Sequence, residues 1–349
     1  MMFFLRFLLI TTVTVTTASL KPTRYDLAHY LLRESNYDHS FPPDTDNITN
    51  VAVQLDITDL NSESDKDREI EFSLYLRMNW TDRRLDFTEN KTTYDIIPLG
   101  DDIVNSLWIP DLYFIEERNS LLHGLLTSNQ LAFIHKNGDV FYSGRFDIKA
   151  HCVMSFKKYP FDEQSCEISI QSYALSTDYL LLHWVGKNAV DIAGNEDTFI
   201  FEDAPQSKAT EYRNNYPYVG SFSTLGTSIR FKRPRGSYFK MVVVPPVFVV
   251  IIALTSFLLG ENVSPGITIP TGALTQLFVN WAGVHNRLSF DSTMDLFDVW
   301  MIGNISFVGF ILFVNAMICH CKYKKKPQDD KERQSKEKSE KDPGDQKKV

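Results

Sequence analysis

The stretch EIEFSLYLRMNW, residues 69–80, alternates apolar with polar or amphipathic side chains along its whole length. The apolar set consists of Ile70, Phe72, Leu74, Leu76, Met78 and Trp80. Because successive side chains of a β-strand point to opposite faces, this period of two predicts a strand with one buried face and one accessible face.

Similar runs lie on both sides of this strand. They are VAVQLDITDL (51–60), LAFIHKNGDVFYSGRFDI (131–148), CEISIQSYAL (166–175), YLLLHWV (179–185) and TSIRFKR (227–233). Asn137-Gly138 is the residue pair that a tight hairpin turn requires. Many short strands separated by turn residues predict an antiparallel, immunoglobulin-like β-sandwich, and the apolar spacing in residues 22–35 predicts a short helix before it. We place this domain at residues 20–236.

The hydropathy pattern changes after residue 236. Residues 241–259 and 299–319 contain no charged side chain, and each run is long enough to cross a bilayer. Residues 1–19 resemble a cleaved signal peptide, with a first transmembrane helix as the alternative. A signal peptide puts the β-domain outside the cell, and the lysines that follow residue 321 belong inside by the positive-inside rule. Two spans would leave those lysines outside, so we expect a third between them.

The only segment available for the third span is 261–284, ENVSPGITIPTGALTQLFVNWAGV, which is uncharged after its first residue but polar. A membrane span of this polarity must hide its polar side from lipid. Steps of three and four residues place one stripe along a helix, and its members are Glu261, Ser264, Thr268, Thr271, Thr275, Phe278 and Ala282. The stripe predicts a water-filled pore shared by several copies. The alternative is that the threonines bond back to carbonyls of their own helix.

We therefore expect an α-helical transmembrane domain at residues 237–321, with spans at 238–259, 261–284 and 297–319. Residues 322–349 are rich in Lys, Glu and Asp and poor in apolar side chains, which predicts a disordered cytoplasmic tail. No fourth span is visible. The chain would then be a multi-pass protein of the plasma membrane, in contact with membrane lipid.

Charge, cysteine positions and the residue types present bear on nucleic-acid binding, disulfide formation and enzyme activity. The net charge is −8, and since the tail is basic the remainder is still more acidic, which argues against nucleic-acid binding. Cys319 and Cys321 adjoin the cytoplasmic lysines, so Cys152 and Cys166 are the pair able to form an extracellular disulfide. No nucleophile–base pair or metal-ligand cluster stands out, so we expect neither an enzyme nor a cofactor.

CVMSFKKYPFDEQSC, residues 152–166, with Tyr-Pro near its middle, resembles the signature loop of the Cys-loop receptors, the pentameric ligand-gated ion channels. Four further segments are similar to motifs of that family, and they are WTDRRL (80–85), WIPD (108–111), GIT (266–268) and DVW (298–300). The resemblance covers about residues 22–321. In the extracellular part it is nearest to the γ-aminobutyric acid and glycine receptor branch.

The resemblance implies an agonist site between subunits, built from aromatic side chains that hold an amine cation. Carried over by position, one subunit supplies Tyr113, Gln171, Tyr173, Tyr216, Tyr218 and Phe222. Its neighbour supplies Tyr75, Arg77, Phe141, Ser143 and Arg145. Gln171 stands where γ-aminobutyric acid sites carry a glutamate, and the capping loop lacks the cysteine pair of acetylcholine-binding subunits. Arg77 keeps an amino acid possible as agonist, besides an amine.

The resemblance also assigns roles in the membrane part. Glu261 at the inner mouth would form a ring of carboxylates in a homo- or hetero-pentamer, which favours monovalent cations. Thr271 stands where the family usually has a leucine gate, so Phe278 is predicted to form the closed constriction. Coupling between agonist site and pore is assigned to Phe161, Asp162, Arg233 and Arg235.

Two further expectations come from the sequence. Asn47, Asn79 and Asn90 begin glycosylation sequons in the extracellular part. Because no fourth span is visible, the alternative to a conducting channel is a non-conducting accessory or assembly subunit of such receptors.

Overall fold

In the computed structural model the described residues are 22–64, 68–90, 92–186, 189–192, 206–232, 235–258, 263–286, 288 and 294–340. Structural statements below refer to these residues. Within them, a few helix and strand residues are described by backbone only. The predicted signal peptide, residues 1–19, lies outside them.

The β-domain consists of two sheets. The first contains β1 (Thr49–Ser64), β2 (Glu69–Thr81), β3 (Ile96–Leu99), β5 (Glu117–Leu122), β6 (Gln130–His135), β7 (Asp139–His151), β9 (Leu180–Trp184) and β10 (Val190–Ile192). The second contains β4 (Leu112–Phe114), β8 (Glu163–Ser172), β11 (Gln206–Tyr216) and β12 (Gly220–Lys232), in the order β11-β12-β8-β4. The predicted β-sandwich is confirmed. Its pairs are antiparallel except that β1 pairs in parallel with β9 and β10.

The core lies between the two sheets. The apolar side chains of β2 from Ile70 to Trp80 are buried, as the alternation predicts. Phe72 of β2 packs edge-on against Phe114 of β4, which joins the sheets, with ring centroids 6.1 Å apart. Trp80 and Trp108, from two of the sequence motifs, pack in the same way at 5.8 Å. The sandwich therefore presents the other face of each sheet outward.

The predicted N-terminal helix is present as α1 (Arg24–His29), which continues through a π-helical turn, Tyr30–Glu34. Thr23 caps it, because its side chain accepts a hydrogen bond from the backbone of Asp26 while the Asp26 carboxylate accepts one from the backbone of Thr23. A second short helix, α2 (Asp101–Val104), precedes β4.

Four helical segments follow the sandwich. They are α3 (Arg235–Tyr238) continuing into a π-helical turn (Phe239–Val243), α4 (Val244–Thr255), α5 (Val263–His285) and α6 (Leu296–Glu340). Among the described helices, the Leu296–Lys324 part of α6 is long and apolar enough to cross a membrane, and Phe239–Thr255 is apolar but shorter. The predicted spans at 238–259, 261–284 and 297–319 coincide with Phe239–Thr255, α5 and the apolar part of α6. That all three cross the bilayer stays a prediction.

The tail differs from its prediction. Helix α6 runs to Glu340, so the backbone of residues 322–340 is helical where the composition predicted disorder. Low apolar content argues only that a segment cannot bury a core. Lys, Glu, Gln and Arg are also strong helix formers, and a helix that begins in an apolar span extends through them without a new nucleation cost.

Candidate functional site

Aromatic side chains gather at one end of the second sheet. Tyr113 of β4 and Tyr173, just after β8, pack edge-on with ring centroids 5.8 Å apart. Tyr216, at the end of β11, packs in the same way on Phe222 of β12 at 5.7 Å. Tyr173 is 79% exposed and Tyr216 is 40% exposed, so both rings remain open to a ligand.

Tyr113 joins these two pairs. Its pKa is raised, first by burial and then by the nearby phenol groups of Tyr216 and Tyr173. The phenol therefore stays neutral through the physiological range, and a bound amine would meet a neutral ring. We define Tyr113, Tyr173 and Tyr216 as the aromatic cluster.

The structure places two other predicted site residues below this surface. Gln171 is buried, and its side-chain oxygen accepts hydrogen bonds from Asn214 Nδ2 at 3.1 Å and Thr224 Oγ1 at 3.0 Å. Phe222 is only 3% exposed and supports the ring of Tyr216. Tyr218 is fully exposed at the tip of the β11–β12 hairpin, where its φ is 74°. These three residues support or border the cluster in the single chain.

The other predicted set lies on the first sheet. Along β2 and β7 the register pairs Tyr75 with Arg145, Arg77 with Ser143, and Asn79 with Phe141. All five predicted residues therefore share one face of two neighbouring strands, on which Ser143 is buried and the other four are half-buried. Phe141 also stacks on Phe133 of β6 with ring centroids 6.1 Å apart. We call Tyr75, Arg77, Phe141, Ser143 and Arg145 the β2–β7 strip.

Two cations flank the tyrosine of the strip. The guanidinium carbons of Arg77 and Arg145 lie 5.7 and 6.0 Å from the ring centroid of Tyr75. Arg77 is held by an ion pair with Asp56 of β1, whereas Arg145 Nε is buried with no hydrogen-bond partner among the described residues. Sequence reasoning missed Asp56, although its polar position in the alternating run 51–60 puts it on the same face as Tyr75.

The aromatic cluster and the β2–β7 strip belong to different sheets. The cluster is built on β4, β8 and β11, and the strip on β2 and β7. One half consists of aromatic rings, a type of group that attracts cations, and the other contains two arginines, whose donors suit acid groups. Such a divided arrangement fits a site completed by the strip of a neighbouring copy.

An outward-facing aromatic cluster on a two-sheet sandwich, followed by an apolar helix long enough to cross a membrane, is the arrangement expected of a membrane receptor with an extracellular ligand-binding domain. The family model described as neurotransmitter-gated ion-channel ligand binding domain matches residues 24–234. The chain therefore belongs to this family, and the predicted resemblance to the Cys-loop receptors is confirmed at the level of the family. The family consists of ligand-gated ion channels and is not a class of enzymes.

The disulfide joins Cys152 to Cys166, with Cα atoms 5.1 Å apart, as predicted. Tyr159-Pro160 within this loop is cis. Phe161 is exposed, and Asp162 is buried and accepts a hydrogen bond from Gln164. The loop thus carries two of the four residues to which coupling was assigned.

The disulfide loop contacts the helical part directly. The ring of Tyr159 packs edge-on against Tyr238 of α3 at 6.0 Å and against Phe297 of α6 at 6.3 Å. The backbone N–H of Leu296 donates to the carbonyl of Lys157 at 3.1 Å. Sequence reasoning missed Tyr159, Tyr238 and Phe297. Two signals were available in the sequence. Tyr159 lies at the centre of the loop, and Phe297 lies beside the DVW motif.

A polar network joins α5 to the start of α6. Asp298 Oδ1 lies 2.9 Å from Trp281 Nε1 and 2.7 Å from His285 Nε2. The N–H of Asp298 donates to Asp295 Oδ1 at 2.6 Å. Because Phe297 contacts the disulfide loop, this network continues a chain of contacts from the sandwich to the end of α5.

The predicted pore stripe faces away from the other helices. Thr268, Thr271, Thr275, Phe278 and Ala282 of α5 are exposed in the single chain. The opposite side, represented by Ala273 and Leu277, is buried. Thr271 and Thr275 donate to carbonyls of the preceding turn at 2.8 and 3.1 Å, and both side chains remain exposed. These bonds to the threonines' own helix are the ones that the alternative to a pore stripe predicted. Pro270 lies inside the helix without ending it.

Some predicted residues cannot be placed. Glu261 and Arg233 lie outside the described residues, as do the side chains of Ser264 and Arg235. Of the sequon residues, Asn47 and Asn79 are exposed and Asn90 is half-buried. Pore lining, coupling and glycosylation therefore stay predictions.

Proposed function

We propose that this chain is a subunit of a pentameric ligand-gated channel that conducts monovalent cations. Residues 20–236 are its extracellular domain, preceded by a cleaved signal peptide. Helices at 238–259, 261–284 and 297–319 are its spans, and the tail is cytoplasmic at the plasma membrane. The observation that carries the proposal is that the two predicted halves of the site lie on different sheets, an arrangement that a second copy or a relative would complete.

The agonist in this proposal is an amine or an amino acid. The faces of Tyr113, Tyr173 and Tyr216 hold the amine by cation–π attraction, worth about 0.5–2 kcal/mol. Arg77 and Arg145 of the neighbouring subunit offer donors for an acid group. Their presence favours an amino acid of the kind bound in the γ-aminobutyric acid and glycine branch. Gln171 carries a neutral amide where that branch has a carboxylate, and this amide is buried and bonded within the sheet.

The gating path in this proposal follows the contacts. Closure of the β11–β12 hairpin on the agonist moves β8, which continues from the disulfide loop. Tyr159 transmits the movement to Phe297, and the Asp298 network passes it to the end of α5. Rotation of α5 then withdraws Phe278 from the pore axis, while a ring of Glu261 carboxylates selects cations.

Expression in oocytes with a panel of amines and amino acids tests the proposal. We expect agonist-evoked or spontaneous current whose reversal potential follows the sodium gradient, and Glu261→Arg should move it toward the chloride potential. Current that follows chloride in the unmodified channel would contradict cation selectivity. Surface protein without current under every ligand would favour the non-conducting accessory subunit.

A further inference from the structure

A concave pocket lies on the outward face of the second sheet, next to the β11–β12 hairpin and away from the aromatic cluster. It has a volume of about 360 Å³ and is lined by β8, β11 and β12. Neighbouring side chains on the opposite face, such as Ile168 and Ile229, belong to the core. The pocket is therefore a surface hollow of the sheet, separate from the aromatic cluster.

The strand register defines its shape. Ser228 of the central strand pairs with Lys208 on one side and Glu167 on the other. Adjacent strands are about 4.8 Å apart, so the backbones of Glu167 and Lys208 are separated by roughly 10 Å. Gly226 continues the floor, and a Cβ there would lie 2.8 Å from Thr210 Oγ1. Ser228 thus leaves room between Glu167 and Lys208, whereas Thr210 and Tyr212 fill the space above Gly226.

Tyr212 closes the hollow on the side of the aromatic cluster. Its hydroxyl donates to Ser169 Oγ at 2.9 Å, so the ring crosses the central strand above Gly226. Arg230 lines the opposite end. The pocket is thereby enclosed on four sides and open to solvent.

Charged side chains of both signs line the pocket. Among the described residues, the side chains of Glu167, Lys208 and Arg230 make no hydrogen bond or ion pair, although charges of both signs face one hollow. Ser228 separates the acid wall from the basic wall, and its hydroxyl on the floor is hydrogen-bonded to Ser165 Oγ at 2.9 Å. An unpaired carboxylate and two unpaired cations at this spacing match a ligand that carries both charges.

We propose that this pocket binds a small zwitterion whose amine and acid groups are several carbon atoms apart. The amine pairs with Glu167, the acid group pairs with Lys208 and Arg230, and Ser228 contacts the atoms between. A ligand in this position links β8 to β11 and restrains the hairpin that carries Tyr216. If this restraint changes affinity at the proposed agonist site, linkage requires that agonist change the affinity of the pocket by the same factor.

Titration calorimetry of the detergent-solubilised full chain with 6-aminohexanoate tests this site. We expect binding that weakens about tenfold in Glu167→Gln and in Lys208→Gln, since each removes one charge-assisted contact. Glu163→Gln is the matched control, because Glu163 is an exposed carboxylate on the same face of β8 outside the pocket. It should leave the affinity unchanged, as should Tyr173→Ala in the aromatic cluster.

Three results would overturn the proposal. One is absence of binding at millimolar ligand, and another is binding that Glu167→Gln and Lys208→Gln leave intact. The third is binding abolished by Tyr173→Ala alone, which would place the zwitterion in the agonist site. Because the substituted pocket side chains are exposed, near-ultraviolet circular dichroism should show all variants folded alike.

Discussion

Asp82 shows how a single residue of the WTDRRL motif supports the sandwich. Its carboxylate is fully buried and accepts bonds from Arg84 Nε at 2.9 Å, Arg84 Nη2 at 2.8 Å and the Tyr37 hydroxyl at 3.1 Å. Asp82→Ala should cost about 2 kcal/mol, because it leaves the half-buried guanidinium unpaired. Fluorescence-detected size-exclusion after heating should show a transition lowered by roughly 6 °C. Arg83→Gln, which changes the adjacent exposed arginine, should leave the transition unchanged; an equal loss would refute this role.

Tyr173 is the most exposed ring of the aromatic cluster. Its substitution therefore tests agonist contact with little effect on folding. Tyr173→Ala should lower agonist potency about tenfold, as expected for loss of one cation–π contact. Concentration–response curves of evoked current measure this shift. Tyr30→Ala, which removes an exposed tyrosine from the N-terminal helix, should give an unchanged curve. Equal potency in Tyr173→Ala and the unmodified channel would exclude Tyr173 from the site.

At the residue scale, side-chain type and position in a motif predicted which residues lie near the site, but not which way they face. Gln171 and Phe222 were expected to contact agonist, and both are buried beneath the rings. The bonds of Gln171 to Asn214 and Thr224 join three strands, and a single sequence does not show which side chains become neighbours across strands.

At the scale of elements, the disulfide loop should transmit agonist binding to the helices through Tyr159. Tyr159→Ala removes the ring that packs on Tyr238 and Phe297, so we expect agonist binding to persist while the evoked current falls at least tenfold. Radioligand binding and current, measured on the same cells, separate loss of agonist binding from loss of channel opening. Lys158→Ala, an exposed neighbour in the same loop, should preserve both. Current that survives Tyr159→Ala would show that coupling takes another path.

Helix α5 offers a second test at this scale. Cysteine substituted at Thr271 or Thr275 should react with a charged methanethiosulfonate reagent and block current, because both side chains are exposed. Ala273→Cys lies on the buried side and should not react. The rate of current block during reagent application measures accessibility. Faster block at Ala273 than at Thr275 would place the pore on the other face of the helix.

The elements themselves followed from periodicity. The alternation in 69–80 predicted β2 to within a residue at its C-terminal end, and the apolar runs predicted α4 and the membrane part of α6. Periodicity does not report which strands pair, so the parallel pairing of β1 with β9 and β10 was not foreseen. Nor does it show that a charged tail continues a helix that an apolar span has already nucleated.

At the scale of the whole molecule, the proposal is that the aromatic cluster of one subunit meets the β2–β7 strip of the next. Each chain carries one copy of both halves, so a closed ring uses every half once. In the proposed cyclic assembly, a single sequence would encode both sides of the agonist site and one wall of the pore.

The measurement that tests this account most directly is cross-linking of the two halves. A Tyr75→Cys/Tyr173→Cys double variant, with Cys319 and Cys321 replaced by serine, is treated on the cell surface with a bis-methanethiosulfonate. We expect a ladder of covalent species ending at five chains on a non-reducing gel, and no ladder from either single variant. A double variant that stays monomeric, or single variants that form the same ladder, would contradict a site divided between neighbouring subunits.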